Sequence, residues 1–252
     1  MQVNVSRSKP FLLSMGAFVA LWWIAAISAA DPVLVPSPWV VVQSFWQHLT
    51  QGELLQHLAI TLLRVATAFI ASLLIGAATG CAMGFSERTD RLLDPWLILF
   101  LNIPALVVMI LCYVWIGLTE VAAILAVAIN KVPNVAVIMR EGTRTLDPNL
   151  AEMARAYRLG RWQRCRHLIL PQLAPYLAAS TRSGIALIWK IVLVVELLGR
   201  SDGMGFQLHL YFQLFEISSL LAYALAFILV MQMVEFLLLK PWEQQINRWR
   251  QS

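Results

Sequence analysis

Six apolar runs alternate along the chain with polar or charged stretches, at residues 11–29, 58–85, 95–116, 119–139, 176–198 and 220–239. A bilayer core takes roughly 20 apolar residues of helix. The pattern therefore predicts an all-α, polytopic membrane bundle of about six transmembrane helices, with residues 1–252 as a single domain embedded in the lipid bilayer. The longest gap, residues 140–175, contains Arg155, Arg158, Arg161, Arg164 and Arg166. Such a stretch cannot lie in lipid and is predicted to be an aqueous loop.

Finer signals punctuate the runs. The first run is read as an uncleaved span, because its length exceeds a usual signal core; the alternative is a cleaved signal ending at Ser28, Ala29 and Ala30. Residues 31–57 lack Lys and Arg and carry Pro32, Pro36 and Pro38, then Trp39, Phe45 and Trp46. This fits either an interfacial helix or a folded connector with aromatic anchors. Along the second run Ala68, Ser72, Gly76, Gly80 and Gly84 recur every four residues, a flat stripe for close helix packing, within the subunit or across a dimer. Asp94 and Pro95 read as the start of the third span, which Asn102, Ile103 and Pro104 then interrupt, as a gate element or as a kink. Gly117 and Leu118 make a tight turn. Residues 199–219 return as a glycine-rich loop.

Composition agrees with the pattern. The chain is 60% hydrophobic and 13% charged, with a mean hydropathy of +0.71, far from soluble averages. The net charge of +5 does not point to nucleic acid, because the basic residues border apolar runs. Arg7, Lys9, Arg88, Arg91, Arg140, Arg144, the five loop arginines, Lys240, Arg248 and Arg250 fall on one side, against Arg200 alone on the other. This distribution predicts both termini and the long loop in the cytoplasm. Arg64 and Arg182, near span ends, are read as snorkelling cations. Cys81, Cys112 and Cys165 give no disulfide framework or metal spacing. His48, His57, His167 and His209 are scattered, which argues against an enzyme.

Within the loop, Asp147 is expected to cap a helix begun by Pro148, with Leu150, Ala151, Met153, Ala154 and Tyr157 on its apolar side and Gly160 as its stop. A second short helix from Arg161 is expected to end at Pro171, where Pro171 and Pro175 redirect the chain. Glu152, Met153 and Ala154, then Arg161 and Trp162, Leu170 and Pro171, and Pro175 and Tyr176 resemble the EAA loop of the membrane permease subunits of ABC importers, the nitrate, sulfonate and taurine group in particular. The likeness extends to Pro36, Ser37 and Pro38, to residues 61–65, to Asp94 and Pro95 with residues 103–105, and to residues 196–199. It departs where Arg158 stands at the family's loop glycine, which suggests an elbow moved to Gly160, and where Met153 replaces the middle alanine.

The resemblance implies a type I importer permease in a bacterial inner membrane, forming the translocation path for a small anionic solute such as a sulfonate, taurine or nitrate. It implies no cofactor or metal on this chain, with ATP and Mg on a partner dimer of cytoplasmic ABC ATPase subunits; the sequence agrees, since it has no Gly-Lys dipeptide and hence no Walker A loop. It further implies a second permease subunit, a homodimer being expected, and an external, periplasmic solute-binding protein. Glu152, Met153, Ala154, Tyr157, Arg158, Gly160, Trp162, Leu170 and Pro171 become the residues expected to couple to the ATPase. Asn102, Pro104, Lys190 and Glu196 are candidates for the path or gate. Lys190 lies mid-span, six residues from Glu196, too far round a helix for a direct pair. It is expected to face either the path or an ion pair with another span or subunit. The alternative class is an ATP-independent carrier or channel, for which inverted repeats are expected and none is evident.

Overall fold

The computed structural model describes residues 5–29 and 31–239, and the described residues contain no strand. Eleven helices follow in order: α1 (Val5–Ser28), α2 (Pro38–Thr50), α3 (Leu54–Phe85), α4 (Glu87–Asn102), α5 (Ala105–Ile116), α6 (Glu120–Arg144), α7 (Pro148–Ala156), α8 (Arg161–Arg164), α9 (Leu170–Gly199), α10 (Met204–Gln213) and α11 (Ile217–Val234). The side chains of Arg7 and Lys9, Ala30 of the alternative cleavage site, and the basic tail with Lys240, Arg248 and Arg250 lie outside the described residues.

Helices α3, α6 and α9 form the core, where Ala68, Ala122, Ala123, Ala126, Ile188, Val192 and Val195 are buried. Small residues let the backbones approach, which substitutes for a hydrophobic driving force that lipid does not provide. The stripe on α3 packs against α6 of the same subunit: a Cβ on Gly76 would lie 2.6 Å from Val135 Cβ, and Gly80 and Gly84 abut Ala136 and Thr143. The outward faces remain apolar, with Leu63, Leu74, Trp115 and Val121 each about two-thirds exposed or more, as suits hydrocarbon.

Among the described residues three helices are long and apolar enough to cross a membrane, in α3, in α6 and at Ile217–Leu237, and a fourth span results if the bent pair α4 and α5 is one. Helix α9 is long enough but carries Arg182, Lys190 and Glu196. Leu13–Ser28 within α1 is apolar but shorter.

Three local expectations need correction. Helix α4 starts at Glu87, not at Asp94: Ser86 caps it, accepting from Thr89 N–H at 3.3 Å, with Glu87 and Asp90 in the first turn favoured by the helix dipole. Pro95 is thus internal, and Asp94 pairs with Arg140 at 2.5 Å. At the interruption the chain does more than kink, since α4 and α5 meet at 98°. Ile103 is extended, as the residue before a proline prefers, and Pro104 caps α5. Finally, the segment after α9 is not only a loop. It turns through Gly203, whose φ of +100° suits glycine, and forms α10.

Candidate functional site

The long loop folds into an elbow. Asp147 accepts from Asn149 N–H at 2.8 Å, and Pro148 opens α7. Its stop is not Gly160. The helix closes through two backbone bonds, Leu159 N–H to the Ala154 carbonyl at 2.9 Å and Arg158 N–H to the Arg155 carbonyl at 3.1 Å. That is a Schellman pattern, which places the left-handed residue at Arg158. Its φ is +48°. The turn has therefore stayed at Arg158, and Gly160, with φ −60° and ψ 156°, is the N-cap of α8.

The second short helix does not end at Pro171. Helix α8 runs through a π turn at Cys165–Ile169 into α9, with Leu170 N–H reaching the Cys165 carbonyl. The wider turn carries the helix past Pro171, which follows it directly, and Pro175 lies inside α9. The elbow is tied down by Gln172, whose Oε1 accepts from Asp147 N–H at 2.9 Å, and by Tyr176, which packs on Gly142 and shares a 2.9 Å hydroxyl contact with Thr145.

The elbow presents Met153, Tyr157 and Trp162, which are 43%, 77% and 73% exposed, together with Glu152, Arg158, Gly160, Leu170 and Pro171. Ala154 does not join them. It is 2% exposed and belongs to the interior, a correction to its expected place in a contact surface. Beside the elbow, Arg140 and Arg144 bind Asp90 and Glu141, fastening α6 to α4.

At the opposite end of the bundle the structure assembles a group that the sequence does not suggest. Arg64, 4% exposed, is not a snorkelling cation. Its Nε donates to Glu120 at 2.8 Å and its Nη1 to Glu196 at 2.8 Å and to the Asp202 carbonyl at 3.0 Å. Its Nη2 donates to Glu120 and to the Asp202 carboxylate. All five N–H donors are used. Glu196, fully buried, also accepts from Thr61 Oγ1 and Gly205 N–H at 2.9 Å each. A side chain at position 203 would strike its carboxyl group. His57 Nδ1 accepts from Gly203 N–H at 3.0 Å, and its Nε2 lies 2.6 Å from the side-chain amide of Gln207. Arg200 joins through Glu120 at 2.7 Å.

The path candidates separate accordingly. Glu196 faces this network. Lys190 lies on the exposed face of α9, away from Glu196. Asn102 and Pro104 are exposed at the break, and Asn102 Nδ2 bonds the Ile98 carbonyl at 2.8 Å.

The fold is thus that of a membrane-embedded helix bundle, with an ordered elbow at one end and a buried ion network at the other. The chain belongs to the family described as binding-protein-dependent transport system inner membrane component, whose profile matches residues 72–239. It is 29% identical over 242 residues to a putative aliphatic sulfonates transport permease protein of Bacillus subtilis, covering 96% of this chain and 87% of that one. It is 33% identical over 201 residues to the Escherichia coli protein so named, covering 79% and 76%. With the taurine transport system permease protein of Escherichia coli it shares 28% identity over the same shares of the two chains.

Two solved structures share the fold. One is an amino acid ABC transporter crystallised with histidines, with a TM-score of 0.63 at 21% identity, covering 80% of this chain and 98% of that one. The other is the inward-facing MetNI methionine transporter, with a TM-score of 0.58 at 16% identity, covering 87% and 99%. This chain is thus a non-catalytic, multi-pass permease subunit of an ABC importer. ATP is used by a separate ATPase, and transport depends on a binding protein.

Proposed function

We infer that two copies of this chain form the membrane half of an importer for small organic sulfonates, taurine included, with both termini and the elbow in the cytoplasm. All six expected spans cross the bilayer in this reading: α1, α3, α4 with α5, α6, α9 and α11. The observation that carries it is the elbow: a capped, ordered turn that exposes Glu152, Met153, Tyr157 and Trp162 at the end richest in arginine. Large apolar side chains at a water-facing end suit burial in a protein partner, and the partner is the ATPase dimer carrying ATP and Mg. Movements of the ATPase reach the spans through α8 and the π turn, which join α9 without a break. The substrate class rests on the relatives named for aliphatic sulfonates and taurine, and delivery falls to a periplasmic binding protein.

The test is uptake of labelled taurine and of an alkanesulfonate into proteoliposomes that hold this chain, its ATPase and its binding protein. Uptake requiring both ATP and the binding protein is expected. Uptake by the chain alone without nucleotide contradicts the reading and favours an independent carrier.

A further inference from the structure

The seam between α6 and α9 holds a second cation, which the Arg64 network does not explain. Lys131 sits near the middle of α6, 2% exposed, with no hydrogen bond or ion pair among the described residues. Its Cε lies 3.1 Å, and its Nζ 3.7 Å, from the point that a Cβ on Gly184 would occupy, with Phe69 Cε2 at 3.2 Å from the same point. Gly184 therefore provides the space that the lysine fills. Every carboxylate along these two helices is remote and already paired: Glu141, about 15 Å away along α6, binds Arg140 and Arg144, while Glu120, about 16 Å the other way, and Glu196, about 18 Å beyond Gly184 on α9, bind Arg64, at 1.5 Å per residue. An ammonium without a counter-charge at bilayer depth is costly, and such residues are normally functional.

Other features of the seam point the same way. Ser180, four residues before Gly184 and hence on the same face of α9, is fully buried, and its Oγ has no partner. Toward the Arg64 network the seam narrows to a space beside Arg64, too small for a water molecule, lined by Ala68, Ala123, Val127, Val192 and Val195. Nearer the elbow, an open cleft of about 530 Å³ is lined by Thr145, Gln172, Pro175, Tyr176 and Ala179. Ala179 is about 7.5 Å along α9 from Gly184. Along the axis of α9, the level of Lys131 and Gly184 thus falls between the tight space and the cleft.

We propose that Lys131 is an anion subsite of the solute path, its ammonium neutralising the sulfonate group when the seam parts at Gly184. A sulfonate stays ionised at every physiological pH, so it needs a counter-charge wherever water is excluded. Lys131 supplies one, and the unused Ser180 hydroxyl supplies a donor for a sulfonate oxygen. The proposal rests on the sulfonate reading above.

The experiment compares wild type, Lys131→Met and Lys131→Arg in the reconstituted complex of permease, ATPase and binding protein. It measures ATP-driven uptake of labelled taurine beside detergent thermal midpoints and ATPase co-purification. Lys131→Met is expected to lower uptake by about ten-fold or more while its midpoint and co-purification hold, and Lys131→Arg is expected to recover much of that loss. Wild-type uptake in Lys131→Met, or equal losses in Met and Arg variants, overturns the subsite. Absence of sulfonate uptake by the wild-type complex instead strikes the substrate reading on which the subsite depends, so the two failures are distinguishable.

Discussion

At the scale of single residues, Arg64 shows how a membrane interior tolerates charge. Its partners are 56, 132 and 138 residues away in sequence, so no local i, i+4 pattern betrays them, and its position near a span end imitates a snorkelling arginine. Only the tertiary fold brings α3, α6, α9 and the turn before α10 to one guanidinium. Breaking such a pair strands Glu196, which is wholly buried, and removal of one partner of a buried ion pair costs about 3–5 kcal/mol. Arg64→Met is therefore expected to destabilise the protein by that amount in detergent denaturation. Arg64→Lys should recover only part of it, because three donors on one point charge do not span three carboxylates. The double variant with Glu196→Leu should regain most of the loss, since an apolar pair replaces the stranded charge. An unchanged thermal midpoint in Arg64→Met would refute the importance of the network.

At the scale of elements, the elbow is where local chemistry departs from its most favourable form. A non-glycine residue held in a left-handed turn costs on the order of 1 kcal/mol, and Arg158 holds one at φ +48°. Arg158→Gly is therefore expected to raise elbow stability by up to about 1 kcal/mol, read as slower exchange of the two closing amides at positions 158 and 159, whereas Gly160→Ala, at an ordinary φ, should change little. Equal exchange in wild type and Arg158→Gly would contradict this placement of the strain.

Much of the element order was legible in the sequence. The all-helical bundle and the Asp147 cap with Pro148 follow from hydrophobic runs and cap chemistry, whereas residues 31–57 stayed open between an interfacial helix and a connector until α2 decided for a helix. The stripe ending at Gly84 announced a packing face, but its partner, α6, is a tertiary fact. What stayed hidden depends on competition between signals. Gly160 looked like the stop because glycine is the cheapest left-handed residue, yet the two closing backbone bonds fix the turn at Arg158. Pro171 looked like a terminus because its missing N–H disfavours helix interiors, yet a π turn carries the helix past it. Asp94 looked like a cap because Pro95 follows it, yet the helix starts eight residues earlier at the Ser86 cap and Asp94 instead pairs with Arg140.

At the scale of the whole molecule, one end of α6 and α9 is locked by Arg64 and the other leads directly into the elbow. A push on the elbow thus acts along α9 toward the ion network through a seam of alanines and valines packed too tightly to admit a water molecule. That geometry suits a rigid lever, and the lever is useful only if a partner grips the elbow. The most direct test is a detergent pull-down of the tagged chain co-expressed with its ATPase, comparing wild type with Glu152→Lys and Trp162→Ala, neither of which alters a buried group. The account predicts that the ATPase co-purifies with wild type and is lost or uncoupled in both variants, while each retains the wild-type thermal midpoint. Undiminished co-purification and coupled ATP hydrolysis in both variants would contradict the elbow as the coupling site.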